Sequence, residues 1–506
     1  MTQTLRDAVK ITRLLGIRYL WIDALCIIQD SKADWEKEAS MMGKVYKDSC
    51  ITVAATCASG ASEGFLQRPA SLEAQLALPV LKPGSPTQQC HVYLRASQTE
   101  GTYAEDLLVP EIESTTWNSR AWIMQERNIS TRVIHFAKNR LYFQCRSGQQ
   151  SEDNFNFTNN PVFASVQIPP DLLVRLSDPP PVCVPLVEIR EYLASQPKPA
   201  GDQADGFYPQ SSGKWRTLGE TVEFQAAKLT SYDIWYDIVS RYSKRKLTYA
   251  SDKLPAMLAV AEDAAGILND RYLAGLWEND LAVGLLWIAP EHDAKPEVSY
   301  IAPSWSWASY NGPVEWPSDL TSVSAIRPLH CELPLKPEFE LISVNIDTCG
   351  PTPFGAVANG SLVLRGKLLS ITLTGRCTRR LPCRFLSSFV SLAPPAAGIT
   401  DFGMPEVAVD LESRSTYELM CGASKIAVGY LDCREVPREG TQFVCFQVFQ
   451  QRRSVLGGRV RPRWTGLVLE VVEGREDTYR RAGVFILLDS QLDRFAGVRR
   501  KVVTLI

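Results

Sequence analysis

The chain has 506 residues, 45% hydrophobic and 22% charged, with a formal net charge of −2. That length calls for two or three domains, and the composition is that of an ordinary globular protein. A near-neutral balance gives no electrostatic case for nucleic acid or an anionic membrane as partner, and no apolar run reaches the length of a membrane span. The first residues interleave charge with apolar positions at helical spacing and lack the order of a signal peptide. The 13 cysteines are scattered with no C-x-x-C pair, which points to free thiols in a reducing, cytoplasmic setting. His91, His135, His292 and His330 are too far apart for a local metal motif, so no metal is expected.

Residues 2–15 place Leu5, Ala8, Val9, Ile11, Thr12 and Leu15 on one helical face, ended by Gly16. The run 17–22, with Tyr19 to Ile22 before Asp23, predicts a strand buried on both faces. An acid at the carboxyl end of such a strand lies where open α/β sheets bind ligands. Ser31 to Asp34 opens a helix to about Tyr46 with Trp35, Ala39, Met42 and Val45 on its apolar face. Cys50–Thr56 reads as a second buried strand, followed by a loop closed by Pro69. A strand is expected near 91–96, a helix from about Arg120 to Arg127, and strands at 132–136 and 141–144. Helix alternating with apolar strand implies, over 1–150, an α/β domain with a parallel sheet flanked by helices.

Residues 151–230 are rich in Pro, Gly and Ser and read as a linker with one short helix, LVEIREYLA. Residues 231–330 are helical at first, with LPAMLAVAEDAAGIL the clearest piece. Trp277, Trp287, Trp305, Trp307 and Trp316 then crowd into forty residues, an aromatic core and not a surface. From 331 to 506, runs such as GSLVLRGKLLSITLTG, QFVCFQVF, TGLVLEVVEG and RAGVFILL predict a mostly antiparallel β domain.

Two clusters are candidates for chemistry. Asp23, Cys26, Gln29 and Asp30 either line a cleft beyond a strand end or form a satisfied turn, and spacing alone favours the turn. In TTWNSRAWIMQERNIS, Trp122 and Glu126 are four apart and share a helix face, with Gln125 and Arg127 beside the acid. A carboxyl against an indole is partly desolvated, which raises its pKa. The competing reading is a helix whose Trp packs while Gln-Glu-Arg is solvated. Gly60-Ala-Ser-Glu-Gly64 matches a nucleophile elbow in letters but lacks the strand-to-helix context and reads as a loop. A Cys26–His135 thiol–imidazole pair has nothing beyond residue identity behind it. Ser211-Ser-Gly-Lys214 lacks the upstream glycine of a phosphate-binding loop.

Three ordered segments, LRDAVKITRLLGIRYLWIDALCIIQD, WEKEASMMGKVYKDSCITVAATCASGASEGF and SRAWIMQERNISTRVIHFAKNRLYFQC, resemble the fungal heterokaryon incompatibility (HET) domain family. YSKRKLTYASDKLPAMLAVA, YLAGLWENDLAVGLLW and APSWSWAS resemble the region that commonly follows that domain. The family usually begins with a strand block containing a Ser-Tyr-x-Trp-Gly-like string. This chain starts at the helix after it, which leads us to expect a TIR-like sheet lacking its first strand. The resemblance implies a cytoplasmic protein of self/non-self recognition and programmed cell death, with protein partners or self-association. HET domains are in turn similar to TIR domains, some of which cleave NAD. That likeness implies Glu126 as the catalytic acid, with Asp23, Trp122, Gln125 and Arg127 around the bound substrate and no resident cofactor. A non-catalytic assembly module and an inactive truncated paralogue are the alternatives.

Overall fold

The computed structural model describes residues 1–67, 75–81, 89–95, 109–145, 148–151, 232, 234–289, 300–316, 337–377, 416–432, 440–449, 455–456, 459–460, 466–487, 491 and 493–506. The interval 151–230, including the expected short helix, lies outside them apart from Ser151.

Helix α1 (Gln3–Leu14) ends as its sequence requires: Leu15 closes the last turn and Gly16 takes φ +67. Its most buried residues are polar. Asp7 accepts the backbone N–H groups of Phe65 and Leu66 at 2.8 and 3.2 Å, while Leu5, Ala8, Val9 and Ile11 are only half-buried. The expected buried strand at 17–22 does not form. The segment is unpaired among the described residues, and Tyr19 is 83% exposed. An apolar run makes a buried strand only where a neighbouring strand accepts its backbone, and none does so here.

A one-turn helix, α2 (Asp23–Cys26), follows. Helix α3 (Lys32–Asp48) starts at Ser31, whose hydroxyl accepts the Asp34 N–H, while the Asp34 carboxylate accepts that of Ile28 at 2.8 Å. Strand β1 (Thr52–Ala54) leads to the hairpin β2 (Gln75–Leu81) and β3 (Gln89–Arg95), and helix α4 (Trp122–Ile129) precedes β4 (Arg132–Phe136), β5 (Leu141–Cys145) and β6 (Gly148–Ser151). The sheet order is β1-β4-β5-β6, with β1 and β4 parallel and the rest antiparallel. The wholly parallel sheet is thus corrected to a small mixed one. Only four residues separate β4 from β5, far too few for a helical crossover, so the chain must return antiparallel.

A helix over 234–243 (α5), helix α6 (Leu258–Leu268), the hairpin β7 (Tyr272–Leu273) and β8 (Leu276–Trp277), and the short α7 (Leu281–Gly284) form the middle of the molecule. Trp235, Trp277, Trp287, Trp305 and Trp307 are all at most 1% exposed, which makes this region a packed aromatic core. The β7–β8 turn holds it together. Gly275, at φ +103, offers its carbonyl to the indole N–H groups of Trp235 and Trp307, and any side chain there would strike the Trp307 ring.

The C-terminal region comprises β9 (Glu340–Thr348), the 21-residue β10 (Val357–Cys377), β11 (Thr416–Cys421), β12 (Ser424–Leu431), β13 (Gln442–Gln447), a small hairpin of β14 (Val455–Leu456) and β15 (Arg459–Val460), β16 (Gly466–Val471), β17 (Thr478–Leu487) and β18 (Arg500–Leu505). The order β11-β12-β17-β16-β13-β10 closes because β10 also pairs β11, giving a six-stranded antiparallel barrel. Strands β9 and β18 extend from the first half of β10, and only β17–β18 is parallel. Leu373, Leu419, Phe443, Phe485 and Phe495 are among the side chains that fill the barrel. The 21-residue β10 serves both the barrel and the outer pair because its partners change along its length: β18 pairs Leu362–Lys367, and β13 takes over the same ladder from Leu368 to Thr372.

Candidate functional site

Helix α4 carries the candidate acid, and its position is set from outside the N-terminal unit. Ala121, Met124 and Ile129 belong to the same buried cluster as the tryptophans of the middle region. Gln125, fully buried, accepts the Ala259 N–H of α6 at 2.8 Å. Gly43 of α3 lies so close to Ala259 that any side chain there would collide with its Cβ. Helices α3, α4 and α6 therefore pack directly, and Tyr46 of α3 comes to face Glu126 of α4.

Glu126 is half-buried as a residue, with its carboxyl well inside. Burial pushes its pKa up to about 7 from 4.5, and the Asp23 carboxylate adds to that rise. Arg120 opposes the rise electrostatically, and a hydrogen bond from the Tyr46 hydroxyl also favours the ionised form. Burial raises the Tyr46 phenol well above its ordinary value, with Glu126 next in effect, so it remains a proton donor. Around this polar group stand aromatic rings. Trp21 meets Tyr46 edge-on at 5.8 Å, and Trp35 meets Trp122 edge-on at 6.4 Å. The Trp122 indole N–H donates to Asp252 at 3.2 Å, fixing the ring one turn before Glu126.

Of the residues expected from sequence, Asp23, Trp122 and Glu126 thus come together. Asp23 opens α2 and is exposed, with one carboxylate oxygen taken by the Ala24 N–H at 2.7 Å. Gln29 folds back to donate to the carbonyls of Asp23 and Ile27 at 3.1 and 3.0 Å, so it braces that turn. Gln125 and Arg127 do not stand beside the carboxyl: successive residues on a helix are about 100° apart, so neighbours of Glu126 in sequence point away from it. Arg127 is buried on another side, where it pairs with Glu113 at 2.7 Å and donates to Gln144 at 3.2 Å. Burial works against ionisation of Glu113, but the Arg127 guanidinium holds its carboxyl below the usual range. His135 completes that interior network. Its ring lies between the Thr56 hydroxyl and Gln144 at 3.1 and 3.3 Å, and burial followed by Arg127 pushes its pKa down to about 3. Cys26 is exposed and His135 fully buried, so they do not form a thiol–imidazole pair. The Gly60–Gly64 stretch is a turn in which Glu63 caps Ser59.

Sequence reasoning missed Tyr46 and Arg120. Arg120 sits two residues before α4, within reach of a local argument. Tyr46 is eighty residues from Glu126 and arrives only by helix packing. Among the described residues there is no cluster of His, Cys, Asp or Glu suited to a metal ion, and no helix is long and apolar enough to cross a membrane.

No curated protein and no solved structure matches the chain. A family model does: the one described as heterokaryon incompatibility protein (HET) matches residues 1–126, from α1 to the acid of α4. Over that stretch the chain is similar to the heterokaryon incompatibility family, in agreement with the resemblance carried by its ordered segments.

Proposed function

We propose that this is an effector of fungal self/non-self recognition that triggers programmed cell death by cleaving NAD. The observation that carries the reading is the Glu126 carboxyl. It is desolvated to a pKa near 7, faces Asp23, Tyr46 and Arg120, and has the Trp122 ring a turn away. Nicotinamide is a good leaving group because its ring nitrogen is already positively charged. The C1′–N bond breaks with both electrons going to the pyridine nitrogen. Water then adds to C1′, giving ADP-ribose, free nicotinamide and a proton. No general acid is needed at the leaving group. A single ionised carboxylate beside the ribose stabilises the oxocarbenium-like transition state. Glu126 supplies that charge, and Trp21, Trp35 and Trp122 provide apolar walls for a flat ring. Asp23, exposed on α2, accepts hydrogen bonds from the ribose hydroxyls in this reading.

A second reading, a non-catalytic assembly module, is favoured by the apolar surface of the N-terminal unit. Leu14, Tyr19, Leu25 and Ile28 are each more than half exposed. One experiment separates the two: nicotinamide release from NAD by the full chain, free and fused to an oligomerising tag, in wild type and Glu126→Ala. Turnover that falls by at least about 100-fold in Glu126→Ala supports catalysis. Equal turnover in both would remove Glu126 from the mechanism, and no turnover in any assembled form would leave the assembly reading.

A further inference from the structure

Apart from the Glu126 cluster, the middle region holds a cleft of about 590 Å³ between the end of α5, the turn over 247–253 and the loop 311–313. Lys244, Arg245 and Lys253 line it, with Thr248, Tyr249 and Asn311, and none of its lining residues is an Asp or Glu. Asp252, between two lining residues, accepts the Trp122 indole N–H at 3.2 Å and the hydroxyl of the lining Ser251 at 3.4 Å. Each cation is fixed from behind. Lys253, 3% exposed, donates to the Tyr310 carbonyl and lies over the Trp307 ring at 5.6 Å. Arg245 is anchored by Asn118, through its carbonyl and, at 3.2 Å, its side-chain oxygen. Burial, then Arg127, lowers its pKa to about 10, so it stays charged at neutral pH. Lys244 is held at 2.9 Å by Glu315 and also interacts with Asp237, while Glu113 acts on Arg245, all three carboxylates lying outside the lining.

From this we infer that the cleft is an anion site for a phosphate-bearing small molecule of about nucleotide size. Three positioned cations with hydroxyl and amide donors match the charge and the many acceptor oxygens of phosphate. The volume is that of a small-molecule pocket, and the chain's net charge of −2 argues against a polyanion as occupant. Tyr249, 68% exposed at the rim, offers a ring face to a base. The site stands whether or not Glu126 turns over NAD, because its test reads binding.

Calorimetric titration of the full chain with inorganic pyrophosphate and with ADP tests it. Both Lys244→Gln and Thr248→Glu lie at exposed positions. Each should weaken binding about tenfold or more, with Thr248→Glu the stronger because it puts an acid among the cations. Unchanged melting temperatures would show that both variants are folded. Failure of either probe to bind wild type at up to about 1 mM, or binding indifferent to both substitutions, would overturn the assignment.

Discussion

The N-terminal unit and the body behind it are stabilised in different ways. In the body, large apolar side chains are buried outright: five tryptophans in the middle region and a filled barrel beyond it. In the N-terminal unit a much larger share of the buried residues is polar, including Asp7, Thr56, Asn118, Gln125, Arg127, His135 and Gln144. Among the described residues its own separate apolar cluster is Ile112, Ala137 and Tyr142. Its best-buried apolar helix face, that of α4, is part of the body's core. The N-terminal unit thus borrows its rigidity. A change in the body therefore has a physical route to Glu126, through α6 and α4.

That contrast can be broken most forcefully at Trp307. Trp307→Ala removes a fully buried indole and its bond to Gly275, and should cost about 3–5 kcal/mol by denaturant unfolding. If rigidity is borrowed, amide exchange in α4 should quicken along with that of α6. Exchange in α4 that stays slow would show an independently stable N-terminal unit. Arg481 tests the join between the Trp-rich region and the barrel. It is fully buried, pairs with Asp432, donates to the carbonyls of Leu285 and Trp287, and stacks on Trp287 at 3.5 Å. Arg481→Met alone should cost about 3–5 kcal/mol, since it strands a buried carboxyl, whereas Arg481→Met with Asp432→Leu should recover most of that. Calorimetry of the single and double variants distinguishes a stranded charge from lost packing.

Gly43→Ala is a smaller disturbance, at the contact that brings α3 to α6. The collision with Ala259 should cost about 1–3 kcal/mol and shift Tyr46 relative to Glu126, seen as a changed Glu126 titration. The smallest effect belongs to the exposed apolar surface. Tyr19→Ser should change stability by no more than about 0.5 kcal/mol, yet sedimentation should show weaker self-association if that face assembles.

Much of this was legible in the sequence because it is local. Gly16 as a helix end, Ser31 as a cap, the tryptophans as a core and the β runs after 331 follow from short-range patterns. The segment 17–22 misled because its apolar letters describe a strand only if a neighbour exists, and pairing is a property of the whole sheet. Mixed pairing was missed although the four residues between β4 and β5 announce a hairpin. At the site, the four-residue spacing puts Trp122 and Glu126 one turn apart on α4. Gln125 and Arg127 were grouped with them by adjacency, which on a helix separates side chains. Tyr46 was out of reach, because no pattern in α3 tells which helix it will meet.

The most direct test is titration of the Glu126 carboxyl itself, by carbon NMR on labelled protein, assigned by its absence in Glu126→Gln. The midpoint should lie near pH 7, moving up in Tyr46→Phe, which removes a hydrogen bond to the ionised form, and down in Asp23→Asn, which removes a like charge. Because folding raises this pKa, the native state binds the extra proton. The group's contribution to stability is therefore full below about pH 4.5 and lost as pH rises through about 7, a loss Glu126→Gln should not show. A midpoint near 4.5, unmoved by either substitution, would mean a solvated surface acid and would contradict the site.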